Sequence, residues 1–241
     1  MKIAKRNKGR CLDVRQGDGM RKNKVLTDLT LRVTPQLRKN AQDQEAKAFT
    51  GHLGTHFDVM DKEFPLEYVN RRGILFDVSG KEEITADAVD LSAVSEGVFV
   101  MFRTGFMEKA GYGTREYSHE HPYLSWELID TLIGLKVAMI GIDCAGIRRG
   151  KEHTQADQKC ADHGTFVIEN LCHLEQLSGY TCGFTVHTFP MNFSGLSGLP
   201  CRVVAEINRG LFAGKTAVIT GGELCGEGTG QFHITRMDRY G

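Results

Sequence analysis

The stretch Thr50-Gly51-His52-Leu53-Gly54-Thr55-His56-Phe57-Asp58 concentrates the chemistry of this chain, because His52, His56 and Asp58 fall at even offsets with Gly54 between them. In an extended segment, residues at even offsets share one face. Two imidazoles and a carboxylate therefore point the same way across a residue with no side chain, the ingredients of a metal site. Four residues of flat strand span about 13 Å, which is marginal for two imidazoles meeting one ion at ~2.0–2.1 Å. The spacing therefore predicts a bend near Gly54, where glycine allows it. A helix would bring His52 and His56 together but swing Asp58 off their face, and Gly51 and Gly54 disfavour it. A strand running into a bent loop is the better reading. Against it stands a bland alternative: histidines beside a glycine-rich turn are also found partly buried and satisfied by backbone hydrogen bonds.

The chain has 241 residues, enough for one large α/β domain, and no low-complexity linker divides it. Lys and Arg number 30, as do Asp and Glu, so net charge recommends neither nucleic acid nor an anionic membrane as partner. Positive charge does crowd the N-terminus, where Lys2, Lys5, Arg6, Lys8, Arg10, Arg15, Arg21, Lys22 and Lys24 face only Asp13 and Asp18. Without interleaved aromatics, this arm reads as a solvated or subunit-clasping tail. The seven cysteines are odd in number and include no Cys-x-x-Cys pair, which suits reduced thiols in the cytoplasm. No apolar run approaches the ~20 residues of a membrane span, and the charged N-terminus lacks the apolar core of a secretory signal.

Taken in order, 25–33 alternates as a strand and stops at Pro35, and the polar run 36–47 is a short amphipathic helix or a flap. Apolar strands are expected at 73–78 and 98–102, with Thr85 capping a brief helix between them. The polar, glycine-containing stretch 103–121 reads as a long loop. Ser125 is a good N-cap for a helix over 126–135, and 137–142 is apolar on both faces, as a covered central strand is. A helix over 154–163, ended by Gly164, leads to a strand at 165–168, and further strands follow at 184–189 and 201–207. In the tail, 215–220 reads as a strand, and the glycine-rich run after it fits neither a Walker loop nor a dinucleotide fingerprint. Gly195-Leu196-Ser197-Gly198 lacks the second flanking glycine of a nucleophile elbow. The alternation implies an α/β domain over 25–207, preceded by the basic arm 1–24 and followed by an extension, 208–241, packed on the same domain.

Several landmarks occur in one order: Asp28-Leu29-Thr30, His52-Leu53-Gly54-Thr55-His56-Phe57-Asp58, Arg103-Thr104-Gly105, His121-Pro122-Tyr123-Leu124-Ser125, Gly141-Ile142-Asp143 and Glu169-Asn170-Leu171. Together they resemble the putative cyclase family, metal-dependent hydrolases that include bacterial kynurenine formamidase and isatin hydrolase. The resemblance implies a mixed, curved or barrel-like sheet flanked by helices, the swivelling β/β/α architecture. It implies Zn²⁺ or Mn²⁺, one or two ions per site, on His52, His56, Asp58 and Glu169, with Asp58 and Glu169 able to bridge. It also implies hydrolysis of a C–N amide bond in an aryl formamide, cyclic amide or lactam, in a homodimer or homotetramer. A fold-sharing member that binds metal or a small ligand without turnover is the competing expectation.

This sequence departs from the family pattern in places. Where formamidase-like members carry a second-ion histidine, twelve residues before the glutamate, this chain has Asp157. Thr154-Gln155-Ala156-Asp157 also fits a capping box, so ligation and capping are both open, and His153 or His163 could supply an imidazole instead. Glu169 follows an apolar strand, and a carboxylate there needs a cation or hydrogen bonds to offset its desolvation. Lys62 stands where the family has its proton-shuttling histidine; a solvated charged loop is the alternative, and His119 and His121 are other candidates for the acid/base. The only tryptophan is Trp126, so the aryl-stacking tryptophan of the formamidases has no counterpart, which disfavours N-formylkynurenine as substrate.

Overall fold

The computed structural model describes residues 24–32, 50–180 and 182–208. Residues 1–23 of the basic arm, the run 36–47 and the C-terminal extension beyond 208 with its expected strand at 215–220 lie outside the described residues. The strands among the described residues are β1 (Lys24–Asp28), β2 (His56–Asp58), β3 (Asn70–Asp77), β4 (Glu83–Ile84), β5 (Phe99–Arg103), β6 (Tyr123–Leu124), β7 (Met139–Ile142), β8 (Phe166–Glu169), β9 (Cys182–Pro190) and β10 (Gly198–Asn208). The α-helices among the described residues are α1 (Phe106–Ala110), α2 (Arg115–His119), α3 (Trp126–Gly134) and α4 (His153–Asp162). Among the described residues no helix is long and apolar enough to cross a membrane.

The main sheet runs β1-β10-β2-β8-β7-β5-β3-β9, and β9 also pairs with β10. That extra pairing closes seven of the eight strands into a mixed barrel-like ring, with β1 outside it. The eleven-residue β10 makes closure possible, because one of its edges serves β2 at Gly198–Pro200 and β1 at Val204–Asn208 while the other serves β9. The segment β3, β5, β7 and β8 is parallel, and β2, β10 and β9 join it with antiparallel pairing. The alternation of strands and helices implies the α/β class, and the ring is the curved, barrel-like sheet flanked by helices that the family resemblance implies.

Side-chain alternation divides the core in two. Phe99, Met101, Met139, Ile168, Phe57 and Val203 fill the ring, whereas Val100, Phe102, Ile140, Ile142 and Val167 pack with Leu128, Ile129, Leu132, Ala156 and Cys160 of α3 and α4. Strand β7 is buried on both faces for this reason, one turned inward and one lying under helices. Gly141 belongs to the inward set, and a Cβ there would lie 2.6 Å from Leu171 Cδ1 and 2.7 Å from the Phe99 ring.

Most expected elements occur within a few residues of where the sequence places them, and the differences have physical causes. Stretch 103–121 is not a plain loop but holds α1 and α2, which bury only Phe106, Met107 and Tyr117. Two short helices with three buried side chains leave little periodic signal. Thr114 caps α2 by accepting the Tyr117 N–H at 3.0 Å, and Ser125 caps α3 by accepting that of Leu128 at 3.1 Å. Helix α4 begins at His153, so Thr154 lies inside it and the capping box does not form.

The ring interior tolerates no added volume at Gly141. Gly141→Ala is expected to cost about 1–3 kcal/mol by overpacking, read as a lower urea midpoint. Gly134→Ala, where an added Cβ meets nothing within 4 Å at the end of α3, is expected to hold or raise that midpoint by up to about 1 kcal/mol.

Candidate metal centre

The chain bends where the spacing requires it. Gly51 and Gly54 take positive φ angles of 85° and 73°, and only the last three residues of the motif, His56–Asp58, are strand. The two bends bring the His52 and His56 rings to a centroid distance of 4.8 Å. Gly51 also has to be glycine on packing grounds, since a Cβ would lie 1.9 Å from the Gly198 carbonyl oxygen. Its φ alone would strain any other residue.

Strand pairing then supplies the fourth group. His56 stands opposite Glu169 in the β2–β8 register and Asp58 opposite Val167, so His56, Asp58 and Glu169 share the face turned to α4. Phe57, between them, fills the ring interior. From α4, His153 and Asp157 project one turn apart onto the same place. His153 Nε2 is 2.7 Å from Glu169 Oε1 and 3.2 Å from Asp157 Oδ2. Glu169 Oε2 lies 3.5 Å from His56 Nε2, so its two oxygens face the two groups of side chains.

Two triads result, His52, His56 and Asp58 on one side and His153, Asp157 and Glu169 on the other, with the donor atoms of each triad within 4.8 Å of one another. Asp58, Asp157 and Glu169 are at most 4% exposed. Within this cluster His56 Nε2, Asp58 Oδ2 and Asp157 Oδ1 are buried with no hydrogen-bond partner. Buried polar atoms are normally paired, and three orphans within one cluster of ligand-type groups fit a divalent cation. Asp157 is thus placed among ligand-type groups with no capping bond, and His153 is the imidazole that joins it. His163 is exposed, with its Nδ1 on the Lys159 carbonyl.

Electrostatics agree with that fit. Burial lowers the pKa of His56, but the charges of Asp58 and Glu169 prevail and raise it to about 9. Glu169 first, against burial and with help from Asp157, raises His153 to about 10. Burial, then Asp58, pushes Asp157 well above the carboxylate range, whereas Asp58 stays below it because the charge of His56 and the bond from His52 outweigh its burial. Without an ion the cluster holds protons as its positive charge.

A second layer fixes the motif. The Gly54 carbonyl accepts His56 Nδ1–H at 2.8 Å and Asn170 Nδ2–H at 2.9 Å, which leaves His56 Nε2 for the cluster. Thr55 Oγ1 donates to the Asn170 carbonyl at 2.7 Å and accepts Leu31 N–H, while Tyr117 donates to Asn170 Oδ1 at 2.8 Å. Asn170 takes a left-handed φ of 57°, which asparagine tolerates better than most residues. Nearby, burial raises Asp143 to about 6 although Thr104 and Gly105 N–H groups bind its carboxylate, tying the ends of β5 and β7 together.

A cavity of about 260 Å³ opens beside the cluster, lined by Thr50, His52, His56, Tyr112, His153 and Glu169 among others. The Tyr112 hydroxyl accepts the Gly54 N–H at 2.9 Å, and burial raises its pKa, so it keeps a proton next to the site. Sequence reasoning passed over Tyr112 and Tyr117, because an isolated tyrosine in a polar stretch carries no spacing signal, and it met Ser197 only within an incomplete nucleophile elbow.

Of the acid/base candidates, Lys62 lies on another cavity, of about 1010 Å³, shared with Phe189 and Leu199. Its ammonium is 2.7 Å from Asp162 and 2.9 Å from Asp61, and these contacts raise its pKa, the reverse of what proton shuttling near neutral pH requires. His119 is exposed at the end of α2 with Nδ1 on the Arg115 carbonyl. His121 is buried, bonded through Nδ1 to the Pro122 carbonyl, and its pKa is lowered by that burial while Glu169 and His153 act on it.

Ion binding must displace the protons that the cluster holds, so calorimetry in buffers of different ionisation enthalpy is expected to show about two to three protons released per saturated site at pH 7. Both histidines have folded pKa values above the ordinary 6.5, so their stabilisation of the ion-free fold is present below that value and lost as pH rises through about 9–10. The chelator-treated protein is therefore expected to melt at falling temperature between pH 7 and 10, with the metal-loaded form less affected.

Comparison with known proteins adds the lineage. Residues 27–148 match the family model described as "Putative cyclase". No curated protein gives a significant match. Among solved structures, a potential metal-dependent hydrolase with cyclase activity superposes at TM-score 0.61 with 21% identity, over 76% of this chain and 98% of its own. Isatin hydrolase A from Labrenzia aggregata gives 0.62 with 18% identity, over 78% and 95%. A predicted metal-dependent hydrolase from Bacillus stearothermophilus gives 0.58 with 20% identity, over 76% and 98%. At these identities the structures establish a shared fold, and the family model covers half of the sequence, including the His52–Asp58 motif. The chain belongs to the cyclase family.

Proposed function

We propose that this chain is a metal-dependent hydrolase of C–N amide bonds, acting on a compact aryl formamide, cyclic amide or lactam. The observation that carries it is the pair of facing triads with three orphaned buried polar atoms, set at the floor of a cavity. Three imidazoles and three carboxylates form a mixed nitrogen and oxygen donor set that suits Zn²⁺ or Mn²⁺. His52, His56 and Asp58 would hold one position and His153, Asp157 and Glu169 a second, with one Glu169 oxygen turned to each. A bound divalent cation supplies a water of lowered pKa and polarises a carbonyl oxygen.

The remaining chemistry falls to the chain's own groups. Amide hydrolysis joins the water oxygen to the carbonyl carbon, breaks the C–N bond and leaves a proton on nitrogen. Tyr112 Oη accepts the Gly54 N–H, and its own proton has no acceptor among the described residues, so it donates toward the carbonyl oxygen or the departing nitrogen. Asn170 and Gly54 orient His56, and the ring of Tyr117 stands edge-on to that of Tyr112, at 5.7 Å. A cavity of ~150 Å³ holds a benzene ring, so the volume beside the cluster matches one ring with its amide. Isatin, the substrate named for the structural relatives, belongs to this class.

The test is turnover of isatin, other lactams and aryl formamides by protein reconstituted with Mn²⁺ or Zn²⁺. Activity is expected with metal, lost on chelation and restored on reloading. A metal-loaded protein inert toward the whole panel would instead support a binding role. Tyr112→Phe is expected to lower kcat by about 10²–10³-fold with metal content unchanged, the usual loss for a hydrogen-bond donor at a developing oxyanion.

A further inference from the structure

His52 and His56 offer opposite ring nitrogens to the cluster. His56 places Nδ1 on the Gly54 carbonyl and turns Nε2 inward, whereas His52 turns Nδ1 inward, 3.1 Å from Asp58 Oδ1. The outward Nε2 of His52 lies 2.9 Å from Ser197 Oγ. A ring ligating through Nδ1 keeps its proton on Nε2, and Ser197 Oγ is placed to accept it. We infer that Ser197 is a positioning residue that fixes the orientation and tautomer of His52 and so presents Nδ1 to the ion. This inference rests on the metal centre proposed above.

The loop carrying Ser197 is built against the ring. The Ser197 carbonyl accepts the N–H groups of Val59 and Met60, each at 2.9 Å, and Gly198 N–H donates to the Thr50 carbonyl at 3.1 Å. Both ends of the metal motif are thereby tied to the turn between β9 and β10. Gly198 lets that turn lie on the imidazole, since a Cβ there would come 2.7 Å from His52 Cδ2. The sequence reads Gly195-Leu196-Ser197-Gly198 as an incomplete nucleophile elbow; the structure gives its serine a partner. The hydrogen-bond chain Ser197, His52, Asp58 also has the order of a serine hydrolase triad. Ligation through Nδ1 excludes that use, because the imidazole would then have no free nitrogen to act as base.

Metal-ligating histidines depend on the acceptor of their other N–H, and losing it lowers affinity by about 10–100-fold. The test measures Zn²⁺ affinity by chelator competition on the full chain with Ser197→Ala, Ser197→Thr and, as control, Ser194→Ala on an exposed position of the same loop. Ser197→Ala is expected to bind about 10–100-fold more weakly, Ser197→Thr to recover most of the loss, and Ser194→Ala to match the unsubstituted protein. Long-range ¹H–¹⁵N spectra of the Zn²⁺-loaded protein are expected to show His52 protonated at Nε2 and His56 at Nδ1. Unchanged affinity of Ser197→Ala, or His52 ligating through Nε2, would overturn the inference and leave the metal centre standing. Failure of the unsubstituted protein to bind Zn²⁺ would remove both, and covalent labelling of Ser197 by a fluorophosphonate would assign it as a nucleophile instead.

Discussion

Three buried carboxylates within reach of one another are the constraint on which this molecule depends. Asp58, Asp157 and Glu169 come from β2, α4 and β8, and removing even one unpaired carboxylate from water is costly. Positive charge has to join them. The ion-free fold supplies it with protons on His56 and His153, whose pKa values rise to about 9 and 10. A divalent cation would supply it more fully, because it would also give partners to the atoms that protons leave orphaned. The same electrostatics that would destabilise an empty cluster would give it affinity for a divalent metal.

The barrel serves this cluster by fixing directions. Strands β3, β5, β7 and β8 form its parallel part, and the antiparallel insertion of β2 beside β8 sets His56 opposite Glu169. A one-residue slip in that register would turn His56 and Asp58 into the ring and Phe57 out toward α4. Thr55 and Asn170 guard against such a slip by joining the bent segment to the end of β8, and Tyr117 of α2 holds Asn170 in turn. Close glycine contacts at Gly51 and Gly198 do the same from the side of β10.

Much of this was legible in the sequence, and the reasons differ by residue. Even offsets and a central glycine placed His52, His56 and Asp58 together because the geometry is local, spanning seven residues. Glu169 came from the family resemblance, and its place after an apolar strand added that a carboxylate there needs a partner. His153 was named but not preferred, since only the start of α4 one residue earlier puts it a helical turn from Asp157 on the inner face. Lys62 followed from position in the motif alone, and its carboxylate neighbours Asp61 and Asp162 hold it in a different cavity. Tyr112, Asn170 and Ser197 make contacts with the motif across 58, 116 and 145 residues respectively, distances at which no local pattern operates.

The account rests on a cation, not protons, being the native partner of these carboxylates. Anomalous scattering from crystals grown with Mn²⁺ and with Zn²⁺, recorded on either side of each absorption edge, measures this directly. The account predicts an edge-dependent peak among His52 Nδ1, His56 Nε2 and Asp58, with His153, Asp157 and Glu169 ligating the same ion or a second one. Crystals showing no anomalous peak there, with Glu169 turned away from both histidines of the motif, would contradict it.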